Sequence, residues 1–211
     1  MHRPTDDRTF TVEDSAIVLV DHQAGTIGRT GELASQDERD QVKMWVLTLA
    51  RFAKSAGAAV VLTSGQEDQQ QGPLLPEFEK VLPEEYHARI QRKGVINAWD
   101  DLAFTDAVRA TGKTNLVMAG GPPMCASCLP RCRRRPRASR SSPCWTSRPP
   151  RAKTAGRNSR DLLQAADIAL LSVAPMITSM LGDFTNPIAA GLYEAMGAEG
   201  VFDAFAQGNL R

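Results

Sequence analysis

The 211-residue chain has no apolar run of the roughly 18 residues that a membrane-spanning helix needs, so nothing in it supports a membrane role. Met1 to Phe10 is polar and lacks the apolar core of a secretory leader, which points to a cytoplasmic enzyme. An excess of one charge is also missing. The 25 Lys and Arg against 24 Asp and Glu leave a formal net charge of +1, with no overall electrostatic reason to expect nucleic acid or an anionic membrane as partner. Cysteine is scarce, and all four, Cys125, Cys128, Cys132 and Cys144, fall within one short stretch, whereas a disulfide framework spreads its cysteines over the fold. With 42% hydrophobic residues the chain can bury one good core, and 1–211 is expected to be a single domain.

What is present is an alternation of strands and helices. Ala16 to Asp21, AIVLVD, is a continuous apolar run closed by a carboxylate and reads as a buried parallel strand, with HQAGTIG after it as loop. Val42, Trp45, Val46, Leu49, Phe52 and Ala53 recur at helical spacing within Asp37 to Ala58, a helix closed by Gly57. Ala59 to Ser64, AVVLTS, is a second buried strand. The Gln- and Pro-rich run from Gly65 to Pro83 is an excursion with at most a short helix near Pro76 to Val81. Tyr86 to Gln91 alternates as a third strand would, Leu102 to Thr111 is a helix capped by Asp100 or Asp101, and Asn115 to Ala119 is the fourth strand. Pro175 to Met180 reads as a last strand and Pro187 to Phe205 as the final helical pattern, while Asn158 to Leu171 is also helical. Such alternation implies a parallel sheet with helices on both faces. Ligands of such sheets sit beyond the carboxyl ends of the strands, and there the turn GGPPMCA delivers Cys125.

From Pro130 to Ala152 the text changes. PRCRRRPRASRSSPCWTSRPPRA has no hydrophobic period, yet it stands where the alternation requires a helix and a fifth strand. As written it is a basic tract of the kind that binds nucleic acid or folds on a partner. The genetic code offers another reading. If each codon is taken as the last base of one residue plus the first two of the next, Met124 into Cys125 must give valine, Cys144 into Trp145 leucine, and Trp145 into Thr146 aspartate. With GC-rich codons the shifted text from Arg131 to Ala152 is approximately LSAAAEGFEVVAVLDVSAASG, an alanine-rich helix, a Gly turn and a buried strand ending in Asp. The same shift permits Thr-Thr-Asp at Pro122 to Met124 and moves the cysteine to the place of Ala126. A compensated frameshift from about Gly121 to about Thr154 is therefore expected.

Three stretches in order at successive strand ends, AIVLVDHQAG, RKGVINAWDD and GKTNLVMAGG leading into the cysteine turn, resemble the isochorismatase-like cysteine hydrolases, relatives of nicotinamidases and N-carbamoylsarcosine amidases. They look most like a bacterial branch of that superfamily without established substrates. The resemblance implies a three-layer Rossmann-like α/β fold with a mostly parallel sheet of about six strands. It also implies a catalytic trio: Asp21, Lys93 shortly before the Asn97-Ala98-Trp99 turn, and Cys125 or its neighbour in the shifted frame. Gln23, Asn97, Trp99, Pro122 and Ala126 become the residues expected to line the substrate, and a cis peptide is expected at Gly121-Pro122 or Pro122-Pro123. A symmetric homo-oligomer follows too, with an octamer as candidate and residues 185–211 in its contacts.

The implied chemistry is attack of a thiolate on a small amide-type C–N bond, since a free thiol is only slightly ionised at neutral pH and needs an ammonium and a base beside it. In the isochorismatase branch the aspartate instead acts on a vinyl ether without the thiol. Duller roles stand beside these. Asp21 fits a strand-end carboxylate facing a helix N-terminus, Lys93 a solvated lysine beside Arg92, His22 a structural imidazole, and Trp99 a core residue. Cys125-x-x-Cys128 with Cys132 and Cys144 has zinc or redox spacing, but three of these cysteines vanish in the shifted frame. The Asp-x-His pattern by which nicotinamidases hold a metal is missing, so no cofactor or metal is expected.

Overall fold

All six residues of β1 (Ser15–Val20) are buried, because both faces of this strand are covered. Ala16, Val18 and Val20 point into one core with Val61, Leu116, Met118, Trp99, Phe104 and Val108, while Ile17 and Leu19 point into the other with Leu62, Val117, Phe52 and Phe78. The two-residue period of a strand divides its side chains in this way, and an apolar run without alternation is what a doubly covered parallel strand requires. The computed structural model describes residues 10–29, 35–120, 140–144, 161 and 168–208.

Among these residues the sheet has five parallel strands in the order β3-β2-β1-β4-β5. They are β1, β2 (Ala59–Gly65), β3 (Ile90–Arg92), β4 (Asn115–Gly120) and β5 (Arg140–Cys144). Ile17 lies opposite Val60 on β2 and Val117 on β4, and Leu116 lies opposite Ser141 on β5. The expected count was about six.

α1 (Ala24–Arg29) follows β1, and α2 (Gln36–Ser55) connects to β2. α2 starts where Ser35 and Glu38 form a reciprocal capping box and ends before Gly57, whose φ of +65° suits glycine. α2 covers one face of the sheet together with α3 (Glu77–Val81) and with α6 (Val173–Leu181) and α7 (Ala189–Ala198) beyond the described gap. α5 (Leu102–Ala110) and the 3-10 turn Ala98–Asp100 cover the other, which gives the three layers. α7 lies so close to the end of α2 that a Cβ on Gly191 would stand 2.1 Å from Ser55 Oγ. Arg51 of α2 pairs with Glu199 just beyond α7, and α8 (Val201–Ala206) ends the described chain.

Three expected elements differ. HQAGTIG is not all loop, since Ala24–Arg29 is helical and Ile27 packs against the core. Tyr86 is not in a strand. α4 (Pro83–His87) begins on a proline preset for the first helical turn, and β3 starts only at Ile90. Pro175 to Met180 belongs to helix α6, whose buried Val173, Met176, Ile177, Met180 and Leu181 recur at intervals of three and four. Of the helix expected at Asn158 to Leu171, residues 158–160 and 162–167 lie outside the described residues, Asp161 is helical and Ile168 to Leu171 are not.

Candidate active site

The carboxyl ends of β3, β2, β1 and β4 stand side by side, and three of them meet at Asp21. The chain turns sharply after β1. Asp21 has φ +55°, a left-handed conformation that a non-glycine residue adopts at a cost, and Gln23 N donates to Asp21 O at 2.8 Å. The backbone N of Asp21 donates to Thr63 O on β2 at 2.9 Å, and the register of Val20 with Gly120 puts the exit of β4 next to it.

The cation that meets Asp21 is Arg92, the last residue of β3. Arg92 is 2% exposed and its Nη2 donates to both Asp21 carboxylate oxygens. Its Nε donates to Thr63 Oγ1 at 3.1 Å, and its Nη1 to the carbonyls of Val95 at 2.8 Å and Ile96 at 3.1 Å. All five N–H groups of the guanidinium are thereby occupied. To reach β1 it crosses β2 at Gly65, opposite Arg92 in the register, where an added Cβ would lie 3.4 Å from Arg92 Nη2 and 3.7 Å from Asp21 Oδ2.

Lys93, the expected cation, is exposed, because consecutive residues at a strand end point opposite ways. The cation that the structure brings to Asp21 is the neighbouring Arg92, while Lys93 lines the adjoining cleft. Burial pushes the Asp21 carboxyl above its ordinary range, with the hydrogen bonds and charge of Arg92 pulling the other way. A buried ion pair of this kind is weak support for stability. A carboxyl tuned upward is a better proton acceptor near neutral pH than an ordinary one.

The other expected residues divide. Gln23 is fully buried, its amide N donating to Gly65 O at 2.9 Å and to Gly72 O, and its amide O accepting from Gly65 N at 2.8 Å. It clamps the backbone of Gly65 and Gly72. Asn97 caps the 3-10 turn, its Oδ1 accepting from Trp99 N at 3.2 Å. Trp99 is 7% exposed and packs edge-on against Phe104 at 5.2 Å, so its ring belongs to the core. His22 is buried edge-on to Phe78 at 6.0 Å, and burial lowers its pKa to about 4. Pro122, Cys125 and Ala126, with the cis peptide expected there, lie outside the described residues.

Beside Arg92 opens a cleft of about 830 Å³, lined by residues 66–71 together with Gln91, Arg92 and Lys93. The 66–71 segment is held from several sides. Gln66 N donates to Arg92 O at 2.9 Å, Gly25 N to Gln71 O at 2.9 Å, and Arg89 forms a fork with Glu67 at 2.7 and 2.9 Å. Arg89 and Ser64 together hold the Glu67 carboxyl below its usual range. Among the described residues no group of His, Cys, Asp and Glu is placed to hold a metal ion, and no helix is long and apolar enough to cross a membrane.

The three-layer α/β domain thus holds a buried acid at the end of β1 and a buried cation at the end of β3, with the end of β2 between them and the end of β4 on the far side of the acid. No family model matches the chain. It is 41% identical over 107 residues to the Escherichia coli K12 protein called probable hydrolase YcaC, a match that takes in 51% of this chain and 49% of that one. The match thus spans about half the length of that relative. The crystal structure of E. coli YcaC, described as an octameric hydrolase of unknown specificity, superposes with a TM-score of 0.77 at 27% identity, covering 99% of this chain and 97% of that one. YcaC from Pseudomonas aeruginosa, solved with hexane-2,5-diol and covalent acrylamide, gives 0.76 at 27% over 95% and 96%. A cysteine hydrolase of Pseudomonas syringae pv. phaseolicola shares the fold at a TM-score of 0.60 and 14% identity, over 85% and 98%. The chain is thus similar to the YcaC proteins in sequence over about half its length and in fold over nearly all of it.

Proposed function

We propose that this protein is a cysteine hydrolase of a small, amide-type C–N bond, with Asp21 as proton carrier and the cysteine after β4 as nucleophile. The observation that carries this reading is the Asp21–Arg92 pair, shut away from water beside the strand end from which the cysteine segment departs. Asp21 takes the thiol proton, and the thiolate attacks the carbonyl carbon. The C–S bond forms as the carbonyl π electrons move to oxygen, where backbone N–H groups of the turn receive the charge. Collapse expels the amine, which takes the proton back from Asp21. Water then attacks the thioester, giving a proton to Asp21, and the carboxylic acid and free thiol are released. Arg92, with every N–H committed, acts through its fixed positive charge and by holding the carboxylate in one orientation.

The covalent acrylamide in P. aeruginosa YcaC supports a reactive side chain in that relative. The test is a turnover screen of primary amides and carbamoyl compounds with the wild type, Asp21→Asn and a Ser replacement of the cysteine. Both variants are expected to lose at least about a hundredfold in kcat. Full turnover in Asp21→Asn overturns the mechanism. Loss in Asp21→Asn alone favours the thiol-independent vinyl-ether chemistry.

The assembly proposed is a homo-oligomer. E. coli YcaC is an octamer, and Phe184, Tyr193, Phe202 and Phe205 lie 45–60% exposed in and around α7 and α8, an apolar surface that a second copy would cover. Light scattering that returns a monomer would remove this proposal.

A further inference from the structure

One hydroxyl stands between the acid and its cation. Thr63 lies on β2, the strand between β1 and β3, in register with Val20 on one side and Ile90 on the other. It is fully buried, and its polar atoms reach both neighbouring strands. Its carbonyl accepts from Asp21 N at 2.9 Å, while its Oγ1 accepts from Arg92 Nε at 3.1 Å and donates to Ile90 O at 2.9 Å. A hydroxyl makes the last two bonds together because it is donor and acceptor at once. Valine, of the same shape, makes neither.

Arg92 has three anchors besides Asp21, and they differ in firmness. Val95 and Ile96, whose carbonyls accept from Nη1, lie in an exposed loop, with Ile96 72% exposed. Thr63 belongs to an interior strand paired on both sides. A guanidinium is planar, so fixing its Nε–H on a rigid group fixes the plane in which Nη2 meets the carboxylate.

We infer that Thr63 is a positioning residue of this site, its hydroxyl aiming the Arg92 guanidinium at Asp21 for the proton transfers. The inference rests on the hydrolase reading for Asp21 as proton carrier, but the hydrogen-bond chain itself needs neither thiol nor substrate. Its consequence is read on the carboxyl. Among the described residues the charge that acts on Asp21 is that of Arg92; β2 presents the uncharged Thr63 and Gly65, β4 ends at Gly120, and the adjoining His22 is edge-on to Phe78. Burial raises the carboxyl and Arg92 pulls it down, so a guanidinium that swings away leaves it higher still.

The experiment is a carbon NMR titration of the Asp21 carboxyl, assigned with Asp21→Asn, over the pH range in which circular dichroism shows each protein folded. Thr63→Val removes the hydroxyl at constant shape, and Thr63→Ala removes it should valine disturb the packing. The acid dissociation constant of Asp21 is expected to fall about tenfold in these proteins and to stay within about twofold of wild type in Thr63→Ser. Thr48→Val, which takes a buried hydroxyl away from Met44 O within α2, controls for lost stability alone and should leave the titration in place. An Asp21 that titrates alike with and without the Thr63 hydroxyl, or that shifts as far in Thr63→Ser or Thr48→Val, overturns the inference. Turnover is read separately, the acid limb of kcat/KM moving to higher pH with the carboxyl while KM holds. A shifted titration in a protein that turns over no amide removes the hydrolase reading and leaves Thr63 standing, whereas turnover that needs Asp21 with an unshifted titration does the reverse.

Discussion

Arg92 and Lys93 are adjacent in sequence, and only one can be the partner of Asp21. The fork of the guanidinium holds two carboxylate oxygens at once while three further N–H groups anchor it to Thr63, Val95 and Ile96, which an ammonium cannot reproduce. Arg92→Lys is therefore expected to lower kcat/KM by about a hundredfold although charge is kept, whereas Lys93→Ala should stay within about threefold. Equal losses in steady-state assays of the two would restore Lys93.

His22 gives a second prediction at this scale. Its folded pKa of about 4 lies below the ordinary 6.5, so between these values the unfolded chain binds a proton that the native chain refuses. Its contribution to stability is complete above pH 6.5 and is lost as pH falls toward 4, a change of roughly 3 kcal/mol. The raised Asp21 carboxyl runs oppositely, favouring the native state as pH falls below its own folded value. Urea unfolding at pH 7 and pH 5 should show a smaller pH effect in His22→Phe than in the wild type, and an unchanged effect would exclude the imidazole as its source.

Elements were legible where their period was unambiguous. Every position of Ala16 to Val20 is apolar, which fits a doubly covered strand, and the spacing of Val42, Val46, Leu49 and Phe52 sufficed for α2. Short elements were not. β3 has three residues, too few for a period, and the alternation around Tyr86 concealed a one-turn helix. The run at Pro175 was ambiguous because a brief apolar stretch suits a buried strand or a buried helix alike. Half of the site was readable, since Asp21 closes an apolar strand, but Arg92 depends on tertiary register. The role of Gly25 was equally hidden in a single sequence. A Cβ there would lie 2.2 Å from Gln70 O and 2.6 Å from Gln71 O, backbone atoms that cannot swing away. Gly25→Ala should cost about 2–3 kcal/mol in chemical denaturation and loosen the 66–71 segment. Wild-type stability in that variant would mean that α1 docks less tightly than the structure has it.

At the scale of the whole molecule, β5 bears on the odd tract after Pro130. The strand Arg140–Cys144 pairs in parallel with β4, from Asn115 opposite Arg140 to Ala119 opposite Cys144. That is the stretch where the shifted reading has VVAVL, while the written RSSPC includes a proline that cannot donate to a ladder. Identity to YcaC is 41% over about half the chain against 27% over nearly all of it. We propose that the folded protein carries the shifted text. Tryptic digestion followed by mass spectrometry should then yield one long peptide free of Lys and Arg across positions 131–152, and short arginine-ended fragments such as ASR would refute it.

The guanidinium that serves Asp21 hangs from the shortest strand of the sheet, at its outer border, and spans a neighbouring strand to reach its partner. Borders of three residues fray before centres do. Warming should consequently disconnect the acid from its cation while the helical signal is still intact, so that the proposed chemistry would fail some degrees before the shape does.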